Sequence, residues 1–517
     1  MHRMRFAGAT ADDYRMTRWR PRPEDRRSAA VTLAKFHLAL AALVTAGLLG
    51  GCMATAKPPP DDTPLAVRAI GPLRLSSTEE ARMLLVMSAG MVKIGSLSSL
   101  QDGARTADHI AGLYARTQDH KGVFVARMLQ ADALIQLDRL DEAETALSQG
   151  EAAAQSAQCP ACLSEFHTRR AQLAMHRRAW DRAEADFDTA VAILEPRGDR
   201  LQQARIRLYQ SGLALKAQQL AVAEDAALQA EAHAARIVDA RLTGTVHAQL
   251  SEVLFQRQDF AAAADRMERA QLAFADAGAN TERVSALCRL GRLGFATRDP
   301  QKARQRIAEA VTVATRESGP GPRARQWLLI ADAYARLGDR EAAGTGFEVA
   351  AGVYRDAGSA EGLAAVEVLQ IMNGLTDRNA EDVSRRVAVA RGHLATKPAA
   401  GQAKRVDVSP LPLTRWQIDT SLDVAEGFLL FRQLKLEEAL KRFENAAKLA
   451  RSWNQPHLLG SSASLQGDVL VLMSRHREAE QAYAVALEAY ERQGDVKAAE
   501  QTRVTLDRVR ARISMGS

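Results

Sequence analysis

Residues 171–190 read AQLAMHRRAWDRAEADFDTA, and this stretch decides the fold. Ala171 and Ala183 are small and lie twelve residues apart, Phe187 follows after four residues, and Ala190 after three more. Apolar residues at three- and four-residue intervals are typical of one helix face, and a short polar step separates two such runs. The stretch therefore predicts two helices joined by a turn, with small residues that let them approach closely.

The same pattern recurs every 40 residues along most of the chain. Nine units share one register, with a step of 56 residues before the eighth, and their second helices begin at Leu140, Trp180, Leu220, Phe260, Pro300, Arg340, Ala380, Leu436 and His476. One matching interval can arise by chance, but nine units in one register indicate a repeat array.

Three columns of residues carry the packing pattern of the units. The column three residues into the second helix is small and includes Ala143, Ala183, Ala343, Ala439 and Ala479. The column twelve residues earlier, in the first helix, is also small and includes Ala131, Ala171, Ala331, Gly427 and Gly467. The column four residues after the first is mostly large and includes Phe187, Phe347, Phe443 and Tyr483. Large side chains are thus expected to fill the space beside small ones.

This rhythm resembles the tetratricopeptide repeat (TPR), in the 40-residue variety met in MalT-like TPR regions. The resemblance covers roughly residues 120–495 and implies an all-α fold, a right-handed superhelix (α-solenoid) of about nine helix-turn-helix repeats. The unit at Ala380 departs most, with Ile371, Gly374 and Val383 where small, large and small residues are expected. Its helix pair is expected to be distorted.

Outside the repeats the chain divides by composition. The expected layout is a signal peptide at 1–51, a Pro-rich tether at 52–74, degenerate capping helices at 75–119, seven repeats at 120–395, a linker or loop at 396–414, two repeats at 415–495 and a capping helix at 496–517. Capping elements with a polar outer face are typical of solenoids. The Pro- and Gly-containing segment at 396–414 is interpreted either as a hinge between the two blocks or as a plain surface insertion.

The first 51 residues resemble an export signal. Arg26, Arg27 and Lys35 precede an uncharged run at 36–51, the basic-then-apolar pattern of a secretory signal. The run is short for a membrane span, although an uncleaved anchor is an alternative. The long basic stretch before it suggests that translation begins at Met16 or later.

The end of this run resembles the lipobox of bacterial lipoproteins. It reads Leu49-Gly50-Gly51-Cys52, and the resemblance implies cleavage before Cys52 and attachment of lipid to its sulfur. Residue Met53 is not the Asp that signals inner-membrane retention in that family. The resemblance therefore implies an outer-membrane lipoprotein that faces the periplasm.

Charge argues against a nucleic-acid partner. The chain has 517 residues, a formal net charge of +7, 69 basic residues and 62 acidic residues. Residues 1–51 hold nine of the basic and four of the acidic residues, so 69 − 9 = 60 basic and 62 − 4 = 58 acidic residues remain. The part that follows the signal is nearly neutral, which does not favour binding to phosphate backbones.

Motifs for catalysis are absent from the sequence apart from one cysteine pair. Phosphate-binding, metalloprotease, nucleophile-elbow and calcium-loop signatures are all missing, and we expect no enzyme activity, metal or cofactor. Cys159 and Cys162 are separated by Pro160 and Ala161, and the pair is interpreted as a local disulfide, with a thiol-redox role as the alternative. Zinc would need a second ligand pair. Cys288 is interpreted as an inert thiol or as a groove residue.

In a TPR stack the first helix of each unit lines a concave groove. By resemblance the candidate groove residues are Asp132, Gln136, Gln172, His176, Lys216, Glu252, Phe255, Gln256, Arg292, Phe295, Asp332, Arg336, Phe428, Phe431, Arg432 and Asp468. Their charges are mixed, and the four phenylalanines suit the apolar side chains of a partner. For any one of them a solvated or packing role is the alternative.

These features predict a lipid-anchored, non-catalytic scaffold that binds a protein or peptide and serves in assembly of an envelope complex. Its expected contacts are a protein or peptide of unknown identity and a membrane through the lipid; no nucleic acid is expected, and a small-molecule ligand is disfavoured. The alternative is a regulatory module that responds to a ligand or peptide.

Overall fold

The chain forms a stack of paired helices in a computed structural model. The structure describes residues 77–317, 319–374, 380–395, 408 and 411–516. Twenty-one α-helices and no strand occur within that part of the chain. The prediction of an all-α solenoid is confirmed. Cys52, the signal and the tether lie outside the described residues.

The helix bounds follow the 40-residue register. They are α1 Ser77–Ile94, α2 Leu97–Arg116, α3 His120–Gln136, α4 Leu140–Ser156, α5 Pro160–His176, α6 Trp180–Ala192, α7 Arg200–Lys216, α8 Leu220–Ala234, α9 Ala240–Gln256, α10 Phe260–Asp276, α11 Asn280–Ala296, α12 Pro300–Thr315, α13 Pro320–Arg336, α14 Arg340–Asp356, α15 Ala360–Gly374, α16 Ala380–Ala395, α17 Arg415–Arg432, α18 Leu436–Ser452, α19 Pro456–Leu472, α20 His476–Gln493 and α21 Val496–Gly516. A single 3₁₀ turn, Glu195–Arg197, follows α6. Each odd-numbered helix from α1 to α19 packs on the next even-numbered helix, which gives units 1 to 10, and α21 packs on α20.

The small columns are the contact points within the units. The alanines of both columns named above are buried, and so are the large residues Phe187, Phe347, Phe443 and Tyr483, while Trp180 is partly buried. A Cβ atom added at Gly427 would lie 2.7 Å from the Phe443 ring, and one added at Gly467 would lie 2.8 Å from the Tyr483 ring. Glycine at these positions lets an aromatic ring of the second helix rest on the backbone of the first.

The turns inside the units share one backbone conformation. The residue two positions before the second helix is left-handed in most units, with φ of 62° at Asp138, 58° at Arg178, 59° at Leu434 and 77° at Gly338. One residue in this region ends the first helix and redirects the chain into the second.

The two segments that depart most from the repeat pattern also form paired helices. Residues 77–116, within the segment 75–119 predicted to form degenerate capping helices, form unit 1, in which Leu100 is fully buried and α1 contacts α3. In unit 8 the larger residues Ile371 and Val383 are both buried, and the turn between α15 and α16 lies outside the described residues.

A single hydrophobic cluster crosses the position of the insertion. It runs from Ala263 in unit 5 to Val509 in α21 without a break between units 8 and 9. Val408 and Leu413, within the segment predicted to be a linker, are buried in it. The shared core favours the surface-insertion interpretation over the hinge.

The stack curves with the first helices inside. First helices of successive units contact each other, for example α3 with α5, α5 with α7 and α11 with α13, whereas the second helices pack mainly on the first helices beside them. Elements on the inner side of a curved stack come closest together. The first helices therefore line the concave face, as the resemblance implied.

The curvature brings distant units into contact. Arg492 Nη2 donates to the Gln136 carbonyl at 3.2 Å, Asn454 Nδ2 donates to the same carbonyl, and Arg178 Nη2 donates to the Glu491 carbonyl at 3.4 Å. Solenoid repeats ordinarily contact only their neighbours. These closure contacts, between units 2 and 3 and units 9 and 10, show that the superhelix completes one turn.

Within the described residues, no helix has both the length and the apolar character that crossing a membrane requires.

Candidate binding groove

The concave face carries a ladder of mostly polar residues at 40-residue spacing. One column holds Asp132, Gln172, Gly212, Glu252, Arg292 and Asp332, and a second, three residues earlier, holds Leu129, Arg169, Tyr209, Gln249, Arg289 and Leu329. Side chains of one unit bond to those of the next along this ladder. The groove is therefore a polar surface with internal pairing, not a smooth apolar trough.

The first section of the ladder centres on Asp132. Its carboxylate lies 3.3 Å from Arg169, which also contacts Glu165 at 2.9 Å. Burial raises the pKa of Asp132 to about 6, although Arg169 opposes the shift. Nearby, the Tyr209 hydroxyl donates to Gln172 at 2.7 Å. These contacts join α3, α5 and α7 across the concave face.

The central section combines arginines with phenylalanines. Glu252 Oε2 lies 3.5 Å from Arg292 and 3.8 Å from Arg289. The Arg292 guanidinium lies 4.5 Å from the centre of the Phe255 ring, a cation–π contact. Phe295, the equivalent of Phe255 in the next unit, is 60% exposed. This section offers an apolar ring and two guanidinium groups to the same space.

The next unit adds a local ion pair. Asp332 Oδ2 accepts from Arg336 Nε at 2.7 Å on α13. Asp332 Oδ1 is buried without a hydrogen-bond partner in the described part of the chain. Cys288 lies on α11 nearby and is buried, and burial raises the pKa of its thiol above the usual range. A buried, protonated thiol fits the interpretation of Cys288 as inert.

The C-terminal section corrects one predicted groove residue. Phe428 is only 2% exposed and belongs to the hydrophobic core, so its assignment to the groove was wrong. The reason is that α17 is enclosed on nearly all sides, and its residues from Thr420 to Leu429 are buried except Glu426. Asp468 is also buried, and accepts a hydrogen bond from Tyr483 at 2.5 Å.

The remaining predicted residues lie near the groove edges. Gln136, His176, Lys216, Gln256 and Arg432 are exposed, all at or near the ends of first helices. Phe431 is partly buried and packs against the core. The structure thus joins Asp132 with Arg169, Gln172 with Tyr209, and Glu252 and Phe255 with Arg292, while Asp332 pairs with Arg336 on its own helix. Phe431 and Arg432 lie on α17, outside these contacts.

Sequence reasoning missed the second ladder column. Arg169, Tyr209 and Arg289 make contacts between units, yet none was among the candidates. The signal that would have found them is the same 40-residue spacing, since these residues lie three positions before Gln172, Gly212 and Arg292.

The cysteine pair lies at the start of α5, away from this ladder. Cys159 and Cys162 are joined by a disulfide, and Cys159 is the N-cap residue, with its sulfur accepting from the Cys162 N–H at 3.3 Å. Pro160 occupies the first helical turn, where its missing N–H costs nothing. Among the described residues no group of three or more His, Cys, Asp or Glu side chains converges as a metal site would need.

Fold and groove define the class of the protein, an α-solenoid of paired helices with a concave polar face. Residues 421–492, which form most of units 9 and 10, match the tetratricopeptide repeat family. Residues 421–492 thus contain tetratricopeptide repeats, as predicted for this part of the chain. The 40-residue MalT-like variety and the lipoprotein signal stay predictions.

Several solved structures resemble the chain at low sequence identity. Yeast Tom70 is 11% identical, with a TM-score of 0.44 over 85% of this chain and 98% of that one. Aspartyl phosphate phosphatase F from Bacillus subtilis is 12% identical, with a TM-score of 0.37 over 75% and 97%. PilF from Pseudomonas aeruginosa is 16% identical, with a TM-score of 0.30 over 46% and 94%. No curated protein sequence matches the chain.

Proposed function

We propose that the protein is a lipid-anchored scaffold of the outer membrane that faces the periplasm and holds a protein or peptide segment in its concave groove. The sequence before unit 1 supports the anchor through its resemblance to a lipoprotein signal. The proposed role is assembly of an envelope complex, without catalysis by the protein itself.

The concave ladder carries this proposal. It runs along first helices of at least five consecutive units and presents alternating charges, amides and the exposed ring of Phe295. Such a surface is long and narrow, and it can follow an extended or helical segment of a partner. A polar rim around a few aromatic anchors is the usual composition of a protein-binding surface.

Photo-crosslinking in cells tests the groove. A photoreactive amino acid at position 295 is expected to capture an envelope protein, whereas the same amino acid at position 272 is expected to capture none reproducibly. Leu272 is the matched control because it is 57% exposed and lies on a second helix, α10. Equal capture at both positions would reject the groove as the binding face.

The anchor is tested in the same cells. We expect the N-terminal peptide from the membrane fraction to have the mass of a lipidated Cys52, and the Cys52→Ala variant to lose both that mass and the membrane association. An unprocessed N-terminus in the cytosolic fraction would contradict the proposed location but not the groove.

A ligand-responsive regulatory module is the second candidate. The closure contacts favour it, because they join the two ends of one superhelical turn by polar groups at exposed turns. A ligand that binds the open and closed forms with different affinity would shift their populations. A thiol-redox role is a third candidate, which full function of a Cys159→Ser variant would remove.

A further inference from the structure

Helix α1 has apolar residues on two opposite sides. One side packs on α2, with Ala81 and Val92 buried there. On the other side Met83, Val86 and Ile94 are 40%, 74% and 37% exposed, and their spacing places them on one helix face. A helix that is apolar on most of its surface is ordinarily enclosed by protein. In the described part of the chain, however, this second side of α1 is open to solvent.

The repeat register shows which kind of element covers this side in other units. The equivalents of Val86 on later first helices are 0% exposed at Ala126, 1% at Phe166, 1% at Val246 and 2% at Ala286. In each of those units the second helix of the preceding unit packs against the first helix. Val86 differs from its equivalents because no unit precedes unit 1 among the described residues.

The cover in unit 2 comes from the end of α2. Ala126 and Val123, the equivalents of Val86 and Met83, cluster with the buried Ile110. Each repeat of a solenoid contacts its neighbours through the same face. An element before unit 1 would therefore meet α1 at Met83 and Val86, as α2 meets α3.

The opposite end of the stack is closed in a different way. Helix α21 packs on α20 with Leu506 and Val509 buried, and its outer side carries the exposed Arg503, Arg508 and Arg512. A polar outer side is what the terminal element of a solenoid needs for solubility. Helix α1 presents an apolar outer side instead, so it is not suited to be the last covered layer of the stack.

The residues directly before α1 have the composition of a cover. Residues 65–75, which lie outside the described residues, read LAVRAIGPLRL and contain five large aliphatic side chains and no acidic one. Ile70 and Leu73 stand 40 residues before Ile110 and Leu113, both of which are buried on α2. The segment therefore supplies apolar side chains at the register positions that α2 uses to cover α3.

Length and charge agree with the same occupant. Residues 65–75 span at most ~36 Å when extended, and Ile94 lies only ~26 Å along α1 from Ser77. The segment has two arginines, and the first turn of α1 carries Glu79 and Glu80. A covalently linked segment also meets its surface at a higher effective concentration than a second copy of the chain or a separate partner does.

We propose that residues 65–75 dock on the exposed side of α1, with Ile70 against Val86. The docked segment takes the place of the second helix that would precede unit 1, and it gives the N-terminal end of the stack its missing cover. Docking also shortens the free part of the predicted tether to residues 53–64. Only this last consequence rests on the proposed lipid anchor.

Photo-crosslinking of the full-length protein, purified in detergent, tests the docking. A photoreactive amino acid at position 86 is expected to crosslink to residues 65–75 of the same chain, which peptide mass spectrometry identifies. The control is position 82, because Arg82 is exposed at another edge of α1 and is closer to the segment in sequence. We expect ~10-fold less crosslink at position 82, since docking and not sequence proximity concentrates the segment at position 86.

Substitutions in the segment show whether apolar contact holds it. Ile70→Asp is expected to reduce the crosslink at position 86 to the level at position 82, because docking would strip water from the carboxylate on an apolar surface. Ala69→Asp adds the same charge one residue away and should keep the crosslink, since its register equivalent on α2, His109, is exposed. Circular dichroism checks that both variants are folded.

Three results would overturn the proposal. The first is a crosslink to residues 65–75 that is no stronger at position 86 than at position 82. The second is a crosslink at position 86 between two copies of the chain, which would assign the exposed side of α1 to a dimer. The third is a crosslink at position 86 that Ile70→Asp leaves unchanged. None of these results bears on partner binding in the groove or on the lipid anchor, so the proposed function stands or falls separately.

Discussion

Single residues at the turns hold a backbone conformation that most side chains resist. Leu434 has φ of 59° and its side chain is 77% exposed, whereas Gly338 occupies the same place in unit 7 with φ of 77°. The left-handed region costs a side-chain-bearing residue on the order of 1 kcal/mol relative to glycine. The left-handed turn therefore lowers the stability of the folded state at Leu434, which carries a side chain, and not at Gly338.

Reciprocal substitutions test this cost. We expect Leu434→Gly to raise the thermal unfolding midpoint, because the exposed side chain contributes little burial, and Gly338→Leu to lower it. A Cβ atom at Gly338 would meet nothing within 4 Å, so any loss there reports the backbone and not a clash. Shifts of the two variants in the same direction would contradict the explanation.

Asp132 gives the groove a pH-dependent stability. Burial raises its pKa to about 6 from the ordinary 3.8, with Arg169 opposing and Glu165 adding to the shift. The folded state then binds more protons than the unfolded state between about pH 4 and 6, so this residue makes folding less favourable as the pH rises through that window. The contribution is largest below pH 4 and lost above pH 6.

The Asp132→Asn variant removes the titration while keeping the shape of the side chain. We expect its thermal midpoint relative to wild type to increase between pH 4 and pH 7, and hydrogen exchange in α3 and α5 to follow the same trend. Parallel stability curves for the two proteins across this range would show that folding does not raise the pKa of Asp132.

The stability of each helix pair depends on how closely the two backbones approach. A Cβ atom on Gly294 of α11 would lie 3.0 Å from the backbone nitrogen and 3.1 Å from the Cα atom of Ala303 in α12. Backbone atoms cannot rotate away, so the two helices must separate. We expect Gly294→Ala to lower the stability of unit 6 by about 1–3 kcal/mol, as overpacking does.

The matched substitution is Gly344→Ala in α14. Gly344 is exposed and a Cβ atom there would meet nothing within 4 Å, so only helix propensity changes. A gain of about 1 kcal/mol is expected. Thermal melting and hydrogen exchange of the two units measure both effects, and a loss in both variants would mean that helix spacing is not what Gly294 protects.

The packing of helices could be predicted from the sequence where it depends on residue size, and less so where it depends on the curvature of the stack. The alternation of small and large residues, such as Gly467 opposite Tyr483, follows from the distance between two paired helices and repeats in the sequence. Whether Arg169 reaches Asp132, or Phe428 is covered, depends on how successive units rotate against each other. That rotation is the sum of many small contacts, so the sequence indicated the groove-forming helices but not the pairing along them.

At the scale of the whole molecule, the closure contacts join units that are more than 300 residues apart in sequence. Two of them place an arginine near the C-terminal end of a helix, Arg492 at the carbonyl of Gln136 in α3 and Arg178 at the carbonyl of Glu491 in α20. The last carbonyls of a helix carry partial negative charge, which a guanidinium complements. The Glu491 carbonyl also accepts from the Gly494 N–H at 3.0 Å, so Arg178 is a second donor there. Each end of the superhelical turn therefore places a guanidinium at the C-terminal end of a helix of the other end.

Closure by exposed polar groups is weak enough to be reversible. Exposed pairs contribute about 0–1 kcal/mol each, and salt screens them.

We expect the double variant Arg178→Gln, Arg492→Gln to open in part and to show a larger radius of gyration by small-angle X-ray scattering, and high salt to move wild type in the same direction. Arg477→Gln, an exposed arginine on α20 that is not in the closure contacts, should leave the radius unchanged. Because opening widens access to the first helices, the double variant should also bind groove ligands faster. If the radius of gyration of the double variant matches that of wild type at all salt concentrations, packing between neighbouring units sets the curvature, and the two arginines do not maintain it.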